Sequence, residues 1–559
     1  MRSQIKTRRL GNCSLCLTRF ISLPCLFILL VLYVFVYLVV GVGTYIIHEY
    51  RPGTQVYDGK KNNEPIKVEP KFSFSRGKLS REESVINAIQ HAWRGYEYYA
   101  LDADELLPLS KTGRNNWGHL QWTLVDSLDT LHIAGLTEEL KQAHDQLERS
   151  SFRQNSLVST FEMGIRVLGG TLAAYEFTKD ELYLRKARDA GDRLLRAFDT
   201  SSGIPAKTIH LIFGAPKWFA KLRGAEQKRE NSLAGAGSLQ MELSHLSYLT
   251  KDPKYDNAGK GAVKALKKAH EELLQGEHGN LHGYLGLFPR SFDVDSGKAS
   301  QPYFTVGSGA DSFYEYLLKL YILEGGKDQE LLAMYIRAMD DIIENLVMDF
   351  KFNNEEDGIG KILVESYGSK RTKVKKMHHL TCFMPGLLAL GADYGKRNNV
   401  PKLEKRYDEH MTVAKGLMQT CVYFYTSQPT GLSGDEYRWT NNVAESLRPS
   451  LVDYNLRPET VESLFVLYRV TGRVKYQEIG WKIFQAIEKY CKTDSAYAAL
   501  ADVTVKDSTK VRRIDKMESF LLGETLKYLQ LLFADRRKVP LDQYVFTTEG
   551  HPLPIHQNV

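Results

Sequence analysis

Apolar positions step by three and four residues along most of this chain. Phe161, Ile165, Leu168, Leu172 and Tyr175 fall on one face of a helix, as do Val461, Leu464, Phe465 and Tyr468. The same period predicts helices over residues 83–99, 119–134, 137–149, 159–177, 181–198, 232–250, 253–275, 309–324, 327–349, 379–393, 401–427, 457–471, 474–490 and 516–533. Short connections such as Thr471-Gly472-Arg473 suit antiparallel helix pairs. Residues 199–231 and 350–376 break the pattern, and their Gly, Pro and Asn predict loops or short hairpins. No alternation of strand and helix would build a doubly wound sheet, and no tight repeat would build a solenoid. The predicted fold is all-α, with amphipathic pairs wrapped into a toroid around an axial cavity.

Ahead of Arg81 the pattern changes. Residues 20–47 are nearly continuously apolar, longer than the ~20 residues that span a bilayer and too long for a cleaved signal peptide. Arg2, Lys6, Arg8, Arg9 and Arg19 precede this run with no acid among them, so the tail stays cytosolic and the bulk of the chain is luminal. Four parts follow: a basic tail (1–19), a transmembrane signal anchor (20–47), a polar luminal stem (48–80) and a catalytic domain (81–559). The formal charge of +7 is mostly this tail's, since removing its five cations leaves about +2. That gives no case for nucleic-acid binding, which would want a basic stripe on the folded domain. Hydrophobic and charged contents of 43% and 25% are those of an ordinary globular protein.

Cys13, Cys16 and Cys25 lie in the tail and anchor, and Cys13 and Cys16 lack the second pair a zinc site needs. Cys382, Cys421 and Cys491 face an oxidising lumen, which predicts one disulfide and one free thiol without choosing the pair.

Four acidic segments open helices: Ser159-Thr160-Phe161-Glu162, Gly309-Ala310-Asp311-Ser312, Arg457-Pro458-Glu459-Thr460 and Lys516-Met517-Glu518-Ser519. Each also fits a plain helix start. Ser159 with Glu162, and Asp515 with Glu518, have capping-box spacing; Asp311 suits the helix dipole; Pro458 suits the first helical position. Their company argues for more. Glu459 and Glu462 share a face beside Arg457, and Phe520 lies between Glu518 and Glu524. An aromatic ring among acids suits a sugar, whose C–H faces are apolar and whose rim is polar. Asp104 and Glu105 add another acidic cluster. The DxD pairs Asp102-Ala103-Asp104 and Asp293-Val294-Asp295 lack the scaffold of a glycosyltransferase, and no P-loop, HExxH or GxSxG motif is present. Carboxylates from distant helix starts meeting in one pocket point to acid/base hydrolysis of glycosidic bonds.

Asp126-Ser127-Leu128-Asp129-Thr130, Asp311-Ser312-Phe313-Tyr314-Glu315-Tyr316, Leu456-Arg457-Pro458-Glu459-Thr460-Val461-Glu462-Ser463, Met517-Glu518-Ser519-Phe520 and Val545-Phe546-Thr547-Thr548-Glu549-Gly550-His551-Pro552 resemble the class I α-1,2-mannosidases, glycoside hydrolase family 47. The resemblance runs from about residue 81 to the C-terminus. It implies an (αα)7 barrel and inverting, calcium-dependent removal of terminal α-1,2-linked mannose from high-mannose N-glycans. It also implies Glu162 as acid, Glu459 as base and Asp311 as a third catalytic carboxylate. Thr548 would hold Ca2+; Glu462, Glu518, Glu524 and Glu549 would position its waters or the sugar hydroxyls. Phe520 would floor the mannose, and His379 and Arg457 would sit beside the reacting groups, with Asp104 and Glu105 also assigned to substrate. Cys382 and Cys421 match the family's disulfide, leaving Cys491 free.

The chain departs from endoplasmic-reticulum members at Gly309, where they carry Arg; at Gly235, where they carry Glu; and at His378-His379, where they carry Asp-His. These departures concern branch preference and point towards Golgi-type trimming of several mannoses. The resemblance implies a monomer in the Golgi or endoplasmic reticulum membrane, single-pass and type II. The rival readings are a lectin-like relative of the same fold that recognises trimmed glycans, and a type II glycosyltransferase.

Overall fold

The structure is a computed structural model and describes residues 79–557 apart from 215–228, 276–280, 282–283, 353–358 and 369. The expected tail, anchor and almost all of the stem lie outside the described residues. Among those described, no helix is long and apolar enough to cross a membrane.

Helix Arg81–Ala100 begins where the polar stem ends. A full capping box starts it: Glu83 N donates to Ser80 Oγ at 3.1 Å and Ser80 N to Glu83 Oε2 at 2.8 Å. From there two kinds of helix alternate. Thr137–Arg149, Glu181–Leu194, Lys254–Gln275 and Lys475–Tyr490 each bury one apolar stripe. Trp122–Ala134, Asp311–Leu323, Met384–Arg397, Glu459–Thr471 and Leu526–Phe533 are buried on nearly every side. With Gly169–Thr178 and Gln240–Thr250, these inner helices pack each against the next, and the last returns to Trp122–Ala134. The inner helices thus form a closed ring, and their N-terminal ends carry the acidic segments.

Two expectations need correction. The fold is not purely α: among the described residues, eight small antiparallel sheets of two or three strands join the helices. Residues 350–376, expected as loops or short hairpins, contribute to several, as that expectation allows. Val347–Lys351 pairs with Ile359–Leu363, Glu365–Tyr367 lies between Tyr303–Phe304 and Thr372–Val374, and Lys376–His378 pairs with Glu436–Arg438. Connections pressed between two layers of helix must still satisfy their backbone groups, and short ladders do so. Second, the helix expected from 516 starts later, with a π-helical turn at Leu521–Thr525 before Leu526–Phe533. Glu518 therefore precedes the helix. Asp515 caps nothing there; its carboxylate accepts Leu109 N (2.7 Å) and Ser110 N (3.2 Å).

A disulfide joins Cys382 to Cys421, fastening the turn His379–Phe383 to helix Tyr407–Thr426; Cys491 is free and buried.

Candidate active site

A cavity of about 360 Å³ opens at the acidic end of the ring, and Glu162, Asp311 and Glu459 line it from three inner-helix starts.

Glu162 enters through the strand Leu157–Ser159. Ser159 Oγ accepts Glu162 N at 3.3 Å, which is half of a capping box. The other half is absent because the Glu162 carboxylate turns to Arg166, whose Nε donates to it at 2.9 Å. The chain winds as a π-helix over Met163–Leu168, a distortion frequent at functional sites, and Arg166 lies within it. Arg166 also donates to Asp126 Oδ2 (3.2 Å), Ser519 Oγ (3.0 Å) and Glu549. Its guanidinium lies over the rings of Trp122 and Phe520, 5.6 and 5.7 Å from their centroids.

Asp311 opens its helix and accepts Ser312 N at 2.9 Å. Burial, then the nearby charges of Glu315 and Glu459, push its carboxyl up to about 7 against the opposing Ser312 N–H.

Glu459 follows Leu456, which holds a left-handed φ of +63°, a strained backbone for a branched residue. His379 Nδ1 lies 2.9 Å from Glu459 Oε2, and its Nε2 meets both Tyr425 OH and Thr460 Oγ1 at 2.9 Å. A carboxylate only accepts, so the N–H of this pair belongs to Nδ1. Arg457 Nη1 stands 4.0 Å from Glu459 Oε1, while its Nε and Nη2 donate to Asp435 at 2.5 and 3.0 Å.

The floor is made by Phe520, Glu462, Glu524, Thr548 and Glu549. Thr548 sits in the turn between Tyr544–Phe546 and Pro552–Pro554, and its N donates to Tyr316 OH at 3.2 Å. Lys319 pairs with Glu315 and lies 3.4 Å from Glu462. Burial raises Glu462 to about 8, with Lys319 opposing and Glu315 and Glu459 adding. Glu524 and Glu549 are pushed well above the carboxylate range, first by burial. For Glu524 the neighbouring Glu549, Glu462 and Glu459 add to it; for Glu549 Arg166 opposes while Asp126 and Glu162 add. The floor thus has more acids than cations to pair with them. Among the described residues no three His, Cys, Asp or Glu side chains are grouped to hold a metal directly.

Four residues assigned to substrate from sequence, Asp104, Glu105, Glu518 and His379, are not part of the lining. Asp104 is buried and accepts Trp117 N, His119 N, Leu120 N and Gln121 N at 2.6–3.0 Å, which gives it a structural role as the anchor of that loop. Glu105 is held by Arg114 (2.7 Å) and Asn116 (3.0 Å). Glu518 adjoins Glu105 and pairs with Lys516. His379 is set one layer back, behind Glu459. Sequence reasoning passed over Arg166 and Lys319. Their only signals are the spacings Glu162–Arg166 and Glu315–Lys319, which read as ordinary i,i+4 surface pairs.

The departures at Gly309 and Gly235 are filled by neighbours. A Cβ on Gly309, whose φ is +88°, would stand 3.1 Å from Arg290 Nε, and Arg290 Nε donates to Ser308 O at 2.7 Å. A Cβ on Gly235 would stand 2.5 Å from Asn231 Oδ1.

Residues 88–555 match the profile of glycosyl hydrolase family 47. The endoplasmic reticulum mannosyl-oligosaccharide 1,2-alpha-mannosidase of Rattus norvegicus is 39% identical over 487 residues, covering 85% of this chain and 68% of the relative. A mannosyl-oligosaccharide 1,2-alpha-mannosidase of Arabidopsis thaliana is 38% identical over 513 residues, covering 89% of this chain and 83% of the relative. Among solved structures, the alpha-1,2-mannosidase from Trichoderma reesei superposes with a TM-score of 0.74 at 26% identity, covering 86% of this chain and 100% of its own. With a family match across nearly all described residues and a shared fold, the chain belongs to glycosyl hydrolase family 47.

Proposed function

We propose that the chain is an (αα)7-barrel hydrolase that removes terminal α-1,2-linked mannose from high-mannose N-glycans, with inversion at the anomeric carbon. The observation that carries this is the convergence of Glu162, Asp311 and Glu459 on one cavity above Phe520. Glu459 is the base: it takes a proton from a water that attacks the anomeric carbon, while His379 and Arg457 orient its two oxygens. Glu162, fixed by Arg166, delivers a proton to the leaving oxygen directly or through one ordered water. Asp311, which holds its proton towards neutrality, donates a hydrogen bond beside them. An inverting site separates its carboxyls by about 6.5–9.5 Å to admit the water. Phe520 stacks under the sugar's apolar face.

The surplus of buried carboxylates on the floor fits a hard divalent cation with oxygen ligands. Thr548 would hold calcium through its carbonyl and hydroxyl, with Glu462, Glu524 and Glu549 ordering the surrounding waters. Bound there, the cation would supply positive charge to the sugar hydroxyls. The sequence supports a single-pass type II protein of the secretory pathway with this domain luminal, and Gly309 favours Golgi-type trimming.

The test is release of free mannose by the full chain from a nine-mannose N-glycan, with the first-formed anomer read by proton NMR. Inverted product is expected, and chelation of calcium should stop its release. Full activity in Glu459→Gln would refute the assigned base.

A further inference from the structure

The far end of the ring, opposite the cavity, holds a group of side chains that the proposed reaction does not use. The hairpin of Tyr544–Phe546 and Pro552–Pro554 carries Thr548 at its tip, and its return strand leads down to Ile555 and His556. There Ile555 N donates to Gln543 O at 2.9 Å and His556 N to Leu323 O at 2.8 Å. Leu323 is the last residue of the 13-residue helix that Asp311 opens, so this base lies about 18 Å along the helix from the cavity end.

The half-buried His556 ring stacks on Tyr248, with centroids 4.1 Å apart and planes 9° from parallel. Its Nε2 lies 3.0 Å from Nδ1 of fully buried His245, and His245 Nε2 lies 2.8 Å from Glu176 Oε1. Burial works against an ionised Glu176, but His245 and then Lys179 hold it below its ordinary value. Ionised, Glu176 can only accept, so His245 Nε2 carries a hydrogen and, in the neutral ring, Nδ1 accepts from His556 Nε2. Glu176 stands on the helix Gly169–Thr178 and His245 on Gln240–Thr250, so with Leu323 the base of the hairpin is tied to three inner helices.

This arrangement has room for one extra proton and not for two. A single imidazolium is balanced by Glu176 and leaves the bond between the rings intact, one donating and the other accepting. A second makes donors of both facing nitrogens, 3.0 Å apart, and sets like charges together. The other charges around the pair give no relief. Lys179 already pairs with Glu176, Lys251 lies 4.5 Å from the centre of the Tyr248 ring, and Lys260 pairs with Glu324, which also accepts Ser244 Oγ.

We propose that His556, His245 and Glu176 form a latch on the base of the Thr548 hairpin, closed near neutral pH and opened by acid. Parted, each ring takes its own proton; together they hold one between them. Burial, then the charge of His245, hold the latched His556 ring down to about 3; Glu176 opposes, and Lys251 and Lys260 add. A group lowered on closing stabilises the closed form fully above its released value, about 6.5 for an imidazole, and loses that contribution as pH falls towards about 3. The chain runs unbroken from His556 to Thr548, so opening the base loosens the tip.

The inference rests on the proposed function only for what the tip holds, and its test needs neither calcium nor mannose. Hydrogen exchange of the full chain, read by mass spectrometry at pH 7 and 5.5 and corrected for the pH dependence of chemical exchange, follows the amides of 552–557. Their protection should fall about eightfold in wild type, the ratio for a released ring that titrates at about 6.5 and a latched one that stays neutral. His556→Gln keeps a donor towards His245 but takes no proton, so its loss should stay within about twofold. Amides 547–551 at the tip should follow the base in both proteins. Wild-type protection that does not change with pH, or an equal loss in His556→Gln, overturns the latch; a loss confined to 552–557 overturns its reach to the tip. Should His556→Gln not fold, Glu176→Gln takes its place. Without that carboxylate the closed pair holds no extra proton, so the loss should exceed that of wild type, and a loss no larger overturns the proposal. A wild type that shows the latch yet binds no calcium overturns the proposed cation site and leaves the latch standing.

Discussion

The floor of the cavity and the buried group Asp126, Asp129, Lys527 and His551 are both enclosed and both contain acids, yet they behave oppositely. Asp126 and Asp129 lie below the usual carboxylate range although burial is the largest influence on each and pushes upward; Arg166 and His551 outweigh it for the first, Lys527 and His551 for the second. Glu524 and Glu549, equally enclosed, lie far above it. Burial is common to both regions, so the number of partnering cations decides. One region is neutralised from within and reads as scaffold. The other has too few cations for its acids and holds protons on them instead, which a bound cation would displace.

The sharpest way to break this comparison is to remove one partner from each region. Lys527→Met takes the nearer of its two partners from buried Asp129, leaving it His551, and should cost roughly 3–5 kcal/mol of stability. Urea denaturation of the metal-free protein measures it. Glu524→Gln removes an acid from the surplus side, so the metal-free protein should be no less stable, while its calcium affinity falls. Equal losses from both substitutions would mean the floor is scaffold too.

Calcium itself should separate the two regions. A ligand that binds only the folded state adds RT ln(1 + [L]/Kd), about 2.7 kcal/mol at a hundredfold excess over Kd. Thermal unfolding with and without chelator should reveal this gain in wild type and its loss in Glu524→Gln. A related signature is pH. Asp311 has a raised folded-state value, so its contribution is full below its unfolded value near ~4 and is lost as pH rises through about 7. Metal-free protein should therefore lose stability between about pH 4 and 7 on this account. Calcium should flatten that slope by stabilising the ionised carboxylates. A metal-free stability that rises across this window would contradict the raised value.

Behind the base stands an imidazole held by two hydroxyls. Tyr425→Phe deletes one of the two hydroxyls on His379 Nε2. The loss of a hydrogen bond worth about 0.5–1.5 kcal/mol should lower kcat some two- to tenfold with little change in KM. An unchanged kcat would mean that Thr460 alone fixes the ring.

The helices were legible because the apolar period is strong, and the alternation of inner and outer helices follows from which are apolar all round. The acidic helix starts were legible too, since the residue types that cap helices also serve as catalysts. What escaped depends on direction. Asp104 and Glu162 look alike in sequence, but the chain folds residues 117–121 back over Asp104 and leaves Glu162 facing the cavity. Arg166 and Lys319 carry spacing typical of solvent-facing pairs, and only the closure of the ring turns them inward. The contacts of His551 with Asp126 and Asp129 reach across more than 400 residues, which no local pattern encodes.

The smallest expected effect lies at the mouth. Arg290 occupies the space beside Gly309, held by the Ser308 carbonyl. Its remaining N–H groups are free to meet hydroxyls of outer sugars, as a guanidinium at a cavity rim does. Arg290→Ala should leave the overall rate of mannose release within about a factor of two, since no part of the floor changes and a rim hydrogen bond is worth about 1 kcal/mol or less. The order in which the product isomers appear by chromatography should change instead. An unaltered order would remove Arg290 from glycan recognition. A large fall in total rate would mean that the rim and the floor are coupled more tightly than their separate contacts indicate.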